Sequence, residues 1–173
     1  VNLADIDHTT PLAFAIKAGH LDTATVLIEC EQVDVNAEDL FHRTPLWLAA
    51  SKGYADIVKA LLTRKDIEVN PELGVWHLST FGTVTPLVTA CSYGHLSVVE
   101  EFISDGRADL NSCDPAGHTP IHISITNHRN DILRLLLRDP SIDVHIPCAE
   151  GNAPLHTAAV CGNLDALTEL LKL

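Results

Sequence analysis

Ten histidines and five cysteines are the residues of this 173-residue chain whose chemistry could bind a metal or attack a substrate. A structural zinc site needs four such ligands converging at close spacing. The cysteines, at positions 30, 91, 113, 148 and 161, form no Cys-x-x-Cys pair, and no His-x-x-x-His pair offers four converging ligands. We therefore expect no bound metal and no cofactor.

Catalytic motifs are also missing from the sequence. Nucleophilic catalysis needs a base held against a serine or cysteine, and no Gly-x-Ser-x-Gly elbow occurs. Neither a phosphate-binding loop nor a dinucleotide fingerprint is present. The adjacent Glu100 and Glu101 would point in different directions on a helix, which is typical of a solvated face. The sequence predicts a protein that is not an enzyme.

Charge limits the kinds of partner. The formal net charge is −12, from 23 acidic and 11 basic residues, and the longest basic cluster is Arg64-Lys65. Binding to phosphates requires clusters of Lys and Arg. Nucleic acid and anionic membrane surfaces are therefore excluded as partners, and we expect no small-molecule ligand. No run of about 20 apolar residues or signal peptide is seen, so no membrane association is predicted.

The cysteines favour a reducing compartment. Their number is odd, and a chain that is 46% hydrophobic can build a core without disulfides. We predict reduced thiols and an intracellular location, either cytoplasmic or nuclear. Cys113 and Cys148 occupy near-equivalent positions in adjacent segments, so a redox pair stays open beside the simpler reading as incidental surface thiols. Cys91 should be buried and Cys161 half-exposed.

The elements that position these residues repeat along the chain. Prolines in Thr-Pro-Leu-like stretches stand at 11, 45, 86, 120 and 154, at intervals of 34, 41, 34 and 34. Threonine caps a helix start, and proline suits the first helical position. A glycine, as at Gly53, ends this short helix, and a second helix with apolar residues at a period near 3.6 follows. Periods of this length are typical of stacked repeat arrays.

A polar turn and a short extended arm complete each unit. The arm carries pairs such as Val35-Asn36 and Val69-Asn70. Val1-Asn2 matches this arm, so the chain begins within a repeat, and Leu173 lies within a helical pattern. We expect the chain to be a fragment of a longer array or of a multidomain protein.

The recurring stretch resembles the ankyrin repeat, with its Asp-x-x-Gly-x-Thr-Pro-Leu-His-x-Ala signature, in five consecutive units. The resemblance implies an all-α ankyrin-repeat solenoid of stacked helix-turn-helix units with projecting β-hairpin loops, forming a single domain over 1–173. The unit boundaries fall at about 5–38, 39–72, 80–113, 114–147 and 148–173, with an inserted loop at about 71–80.

Several positions depart from the family pattern. His128 replaces the glycine that should end a first helix, and we expect it to distort that turn. His8, His42 and Thr83 occupy the glycine position of the hairpin, so those turns should differ in shape. Ala153 replaces a capping threonine, at an expected cost of about 1 kcal/mol.

The resemblance also assigns roles to histidines. His20 and His95 follow helix-ending glycines, and His122 and His156 lie in the Thr-Pro-Leu-His register. In the family these rings hydrogen-bond within and between repeats, so we expect structural roles for all four. Trp47, in the same register of unit two, should pack between repeats.

Ligands of the family lie along the concave side, where they touch hairpin tips and the last turn of each first helix. By register, the predicted partner-binding residues are Leu40, Phe41, Ser51, Lys52, Trp76, Phe81, Ser92, Tyr93, Thr126 and Asn127. Exposed aromatic residues suggest binding anchors, because Trp and Tyr are enriched at interface hot spots. The alternative, that Trp76 and Phe81 only fold the inserted loop against the array, stays open.

We predict a protein–protein interaction module, or scaffold, that binds a partner protein or peptide on its concave surface. Two alternatives remain. The chain could be a regulatory or substrate-positioning segment of a larger enzyme whose catalytic domain lies elsewhere, or a structural spacer. A catalytic signature in the flanking sequence would favour the enzyme segment. The spacer predicts no concentrated aromatic patch, whereas the interaction module predicts one.

Overall fold

The computed structural model describes residues 1–71 and 84–173. Within these ranges it contains ten α-helices and no β-strand, arranged as five pairs joined by short turns. We number the pairs as units one to five. The helices are α1 (Pro11–Ala18), α2 (Leu21–Glu29), α3 (Pro45–Lys52), α4 (Ala55–Leu62), α5 (Pro86–Tyr93), α6 (Leu96–Asp105), α7 (Pro120–Thr126), α8 (Asn130–Leu136), α9 (Pro154–Val160) and α10 (Leu164–Leu170). The predicted all-α architecture is confirmed.

Threonine caps begin the first helices as the sequence predicts. The hydroxyls of Thr10, Thr44 and Thr85 each accept a hydrogen bond from the amide three residues later, at 3.3, 3.1 and 3.3 Å. Proline follows at the first helical position in every unit. Ala153 supplies no side-chain acceptor, so α9 begins without this cap.

Glycines in the left-handed conformation follow four of the first helices. Gly19, Gly53, Gly94 and Gly162 have φ angles of 76°, 74°, 81° and 64°. His128 adopts the same conformation, with φ 54°, and its amide donates to the carbonyl of Ile125 at 3.1 Å. The prediction that His128 distorts this turn is therefore wrong, because the histidine takes the backbone conformation of the glycine that it replaces.

The hairpin turns also keep one shape. His8 and His42 have φ angles of 56° and 57°, in the same region as Gly117 at 76° and Gly151 at 82°. The amide of His42 donates to the carbonyl of Asp39 at 2.8 Å, which is the bond that Gly117 makes with Asp114. The prediction that the turns at His8 and His42 differ in shape from the glycine turns is therefore wrong. Thr83 lies outside the described residues.

The core forms by stacking of equivalent helices. Each first helix contacts the first helix of the next unit, and second helices do the same. Leu12, Leu46, Leu87 and Ile121, at one register position, are at most 2% exposed. Leu155, in the same register of unit five, is 40% exposed, since it faces away from the described units.

Asparagines in the extended arms join units one to four in succession. The Asn36 amide nitrogen donates to the Asp66 carbonyl at 2.6 Å, and its oxygen accepts from the Glu68 amide at 2.9 Å. Asn70 makes the same pair of bonds to Arg107 and Asp109, at 2.8 and 2.9 Å. Units two and three are thus held in the same register as the others, although more residues separate them in sequence.

Two of the four histidines hold adjacent units together. His95 Nε2 lies 3.2 Å from the Ser51 carbonyl of the preceding unit, and His122 Nε2 lies 3.0 Å from the Asn152 carbonyl of the following unit. The predicted structural roles are confirmed for these two. His20 and His156, in the first and last units, are exposed, and their rings make no hydrogen bond with the described residues.

Candidate functional site

A buried carboxylate organises the concave surface at units one and two. The Asp39 side chain is 1% exposed. Its Oδ1 accepts from the amides of Phe41 at 2.9 Å and Arg43 at 3.1 Å, which fixes the hairpin turn. Its Oδ2 accepts from Arg43 Nε and Nη2 at 2.9 and 2.7 Å, and from Lys17 Nζ of unit one at 3.0 Å.

These donors keep Asp39 ionised. Burial by itself would raise the pKa of this carboxyl, but the hydrogen bonds from Arg43, Lys17 and the Phe41 amide outweigh it and lower the pKa from 3.8 to about 2. Lys17 also donates to the Thr9 hydroxyl at 3.0 Å, so its ammonium is held between two acceptors. The result is a rigid cluster of charges that spans units one and two.

Two aromatic rings contact the Arg43 guanidinium. The guanidinium carbon lies 4.8 Å from the centroid of the Phe41 ring and 5.7 Å from that of Trp47. Both distances are within the range of cation–π attraction. Because Asp39 fixes the guanidinium, Arg43 in turn supports Phe41, whose side chain stays 69% exposed.

This cluster forms one wall of an open groove of about 670 Å³. Tyr93, at the end of α5 and 58% exposed, brings unit three into the groove, and its ring stacks on His95 with centroids 6.1 Å apart. The groove is lined by Asp7, Lys17, Asp39, Leu40, Phe41, Arg43, Trp47, Leu48, Ser51, Lys52 and Tyr93.

The structure brings together half of the residues predicted from the sequence. The predicted residues in the groove are Leu40, Phe41, Ser51, Lys52 and Tyr93. Ser92, Thr126 and Asn127 are exposed on units three and four but do not line it. Asn127 donates to the Ser92 carbonyl at 3.3 Å, so these two join adjacent units. Trp76 and Phe81 lie outside the described residues.

The sequence-based list missed Asp39, Arg43 and Trp47 as site residues. Asp39 stands five residues before Thr44, at the aspartate of the repeat signature, and Trp47 is predicted from the sequence only to pack between repeats. Trp47 does pack against the core, but it also lines the groove. A usable signal was present, since Asp39 and Arg43 are four residues apart and an aromatic residue stands within four positions of Arg43 on either side.

Lys17, Asp39 and Arg43 are paired with one another in the groove. Asp39 is a hydrogen-bond acceptor with a pKa of about 2, a poor general base near neutral pH. Among residues 1–71 and 84–173, no cluster of three His, Cys, Asp or Glu side chains could hold a metal ion. In the same ranges, no helix is long and apolar enough to cross a membrane.

The cysteines of the described residues are free thiols. Cys91 is fully buried, and burial raises its pKa to about 12, whereas Cys161 is half-exposed; both placements confirm the sequence prediction. Cys113 is exposed and Cys148 is buried. A thiol with a raised pKa reacts slowly, so Cys91 is a packing residue.

Comparisons with known proteins agree with the repeat architecture. A family model described as ankyrin repeats (3 copies) matches residues 1–72 and 87–173. Mouse Rabankyrin-5 is 33% identical over 88 residues, which are 51% of this chain and 7% of that protein. A probable serine/threonine-protein kinase of Dictyostelium discoideum is 35% identical over 75 residues, or 42% of this chain and 9% of the kinase.

A third relative is a zinc finger CCCH domain-containing protein of Arabidopsis thaliana, 35% identical over 92 residues, which are 51% of this chain and 13% of that protein. The chain thus spans only a small part of the length of each relative. What these proteins share with it is the repeat, and the family match extends over both described ranges. The chain belongs to the ankyrin-repeat family, whose members are generally protein–protein interaction modules.

Proposed function

We propose that this chain binds a partner protein or peptide in the groove of units one to three. The observation that carries the proposal is the exposed Phe41 ring, which is held by the Arg43 guanidinium over a buried carboxylate. Phe41 shares the groove with exposed Leu40 and Tyr93, and contiguous exposed apolar surface marks interaction sites, where aromatic residues are common hot spots.

The groove is formed before binding. Asp39 and Arg43 are joined by three hydrogen bonds, and α3 and α5 pack directly against each other. A partner would therefore lose its own conformational entropy, while the groove loses little. Leu40 and Tyr93 add apolar surface to the same groove.

Other predicted residues would extend the contact. Ser92, Thr126 and Asn127 continue the exposed edge of the first helices into units three and four. We propose that they form a polar rim for a longer partner. Trp76 and Phe81 remain proposed contacts on sequence grounds alone. A chain with free thiols and a net charge of −12 suits an intracellular protein partner better than nucleic acid, a membrane or a small molecule.

Removal of the two exposed rings tests the proposal. The double variant Phe41→Ala with Tyr93→Ala should weaken partner binding at least about tenfold, because aromatic anchors dominate binding energy. Its melting temperature should change little, since both side chains are mostly exposed. The measurement is affinity capture by the chain, followed by cross-linking mass spectrometry and titration of the captured partner.

The matched control is Phe14→Ala. This ring is also exposed, on α1, but does not line the groove, so the variant should bind normally. Cross-links should form at Lys17 and Lys52 in preference to Lys65, which lies outside the groove. Full binding by the double variant would contradict the proposal.

A second candidate function has one supporting observation. One relative is described as a probable serine/threonine-protein kinase, and the matched segment is 9% of its length. The chain could likewise be a regulatory or substrate-positioning segment beside a catalytic domain. A kinase, hydrolase or nucleotide-binding signature in the sequence of the parent gene would support this candidate, and a parent made only of repeats would contradict it.

A further inference from the structure

We propose that the groove selects an acidic partner segment, in which Asp or Glu residues flank one bulky apolar side chain. This inference rests on the proposed function and adds the chemistry of the partner. It follows from the placement of charge and apolar surface around Phe41.

The groove is basic within an acidic protein. Three of the 11 Lys and Arg residues line it, namely Lys17, Arg43 and Lys52, against two carboxylates, Asp7 and Asp39. The groove therefore has a net charge of +1, while the whole chain has −12. Because Asp39 is buried beneath Arg43 and Lys17, its charge does not face a ligand directly.

The cations retain donors for a ligand. Arg43 uses Nε and Nη2 to bind Asp39, and its Nη1 makes no hydrogen bond with the described residues. Lys52 is exposed at the end of α3, lines the groove and forms no ion pair with residues 1–71 or 84–173. A guanidinium fixed by a buried carboxylate is a pre-organised partner for a second carboxylate.

Apolar surface accompanies these cations. Leu40, Phe41 and Tyr93 are exposed, and Trp47 is half-buried at the same groove. One apolar side chain of a partner would cover part of this surface, and carboxylates near it in sequence would reach Arg43 and Lys52. A basic segment would meet the same cations with repulsion, which gives the groove selectivity.

Selection from a display library of random peptides tests the proposal directly. The chain is used as bait, and enriched peptides are synthesised and titrated by fluorescence anisotropy. We expect enriched peptides to combine Asp or Glu with Leu, Phe or Trp. Their affinity should fall about tenfold for Lys52→Glu, because the new carboxylate repels the ligand, and should weaken as salt is added.

Lys65→Glu is the matched control. It changes the net charge by the same amount, but Lys65 is exposed outside the groove, so the affinity should change less than about twofold. Equal losses for the two variants would mean that only the overall charge matters, and would overturn the inference.

The outcomes separate this inference from the proposed function. Enriched peptides that are neutral or basic, yet lose binding in the Phe41→Ala, Tyr93→Ala variant, would overturn the charge inference and leave the proposed function intact. Acidic peptides that bind this double variant as well as they bind the unchanged chain would overturn both, since the groove would not be their site. Loss of binding in both the double variant and Lys52→Glu, with retention in Lys65→Glu, supports both.

Discussion

Asp39 illustrates how one residue connects the fold to the proposed site. Its register is shared by Asp5 and Asp114, and all three accept hydrogen bonds from amides of their own hairpin turns. Only Asp39 also binds both a lysine and an arginine. Asp39 therefore has two roles: it fixes the hairpin turn of its repeat, and it lies at the centre of a charge cluster beside the exposed Phe41 ring.

Asp39→Asn should destabilise the chain by about 2 kcal/mol at neutral pH, which corresponds to lowering a carboxyl pKa from 3.8 to about 2. Because the pKa is lower in the folded state, this contribution is fully present above 3.8 and is lost as the pH falls through about 2. Urea unfolding of both proteins across this pH range measures the difference.

Asp7→Asn is the control for this prediction. Asp7 lines the same groove but is exposed, and its carboxylate makes no ion pair with the described residues, so its removal should leave stability nearly unchanged. A free-energy difference for Asp39→Asn that does not shrink in acid would show that the carboxylate is not the stabilising group.

At the scale of the helix, the turn that ends α7 has a conformational cost. His128 occupies a left-handed conformation that glycine adopts without steric conflict. The hydrogen bonds around His128 match those of the glycine turns, so the histidine does not change the geometry of the turn. No other feature of the described residues explains a histidine at this position.

His128→Gly should therefore stabilise the folded chain by about 0.5–1 kcal/mol, because it relieves the backbone strain. The greater conformational freedom of glycine in the unfolded chain offsets part of this gain. Thermal unfolding followed by circular dichroism measures the change. The control is His20→Gly, the same substitution at φ −83°, which should not stabilise. Equal gains for both variants would exclude relief of backbone strain as the cause.

At the scale of the whole molecule, contacts between neighbours hold the array together. The His122 ring joins units four and five: the Thr119 amide donates to its Nδ1 at 3.2 Å, and its Nε2 donates to the Asn152 carbonyl. The bond at Nδ1 requires the neutral ring, because a protonated Nδ1 cannot accept, whereas the bond from Nε2 can form in either state. Burial lowers the pKa of His122 below its ordinary 6.5, despite the opposing bond to Asn152.

Acidification should consequently loosen unit five. Because the folded-state pKa is lowered, the stabilisation by neutral His122 is complete above 6.5 and is lost as the pH falls below that value. Amide hydrogen exchange, corrected for intrinsic rates, should show α9 and α10 opening before α5 and α6 as the pH is lowered. In His122→Gln this pH dependence should be much reduced; if it persists unchanged, another group controls the opening.

The fold could be predicted because its signals are local. A threonine, a proline and a later glycine specify each first helix, and their regular intervals specify the stacking of units that cannot bury an apolar face alone. The prediction of altered turn shapes was wrong at His8, His42 and His128, because it considered only the local sequence. There the remaining contacts of the unit impose a conformation that the residue itself disfavours.

The site could be predicted only in part. Register along one helix or hairpin is a local property, and Leu40, Phe41 and Tyr93, which it selects, all line the groove. The partners of Asp39 come from two units, since Lys17 lies on α1 of unit one and Arg43 lies in the hairpin of unit two. The contact between Lys17 and Asp39 joins two units, so no sequence pattern within one unit predicts it.

The sequence by itself determined the repeat, the helix pairs and the apolar faces, because these depend on residues a few positions apart. Tertiary structure alone decided which exposed positions form a common groove and which charges are neutralised there. The physical reason is distance: electrostatic and aromatic contacts act over a few ångströms in space. Residues 17, 39, 43 and 93 come within one groove only when units one to three are stacked.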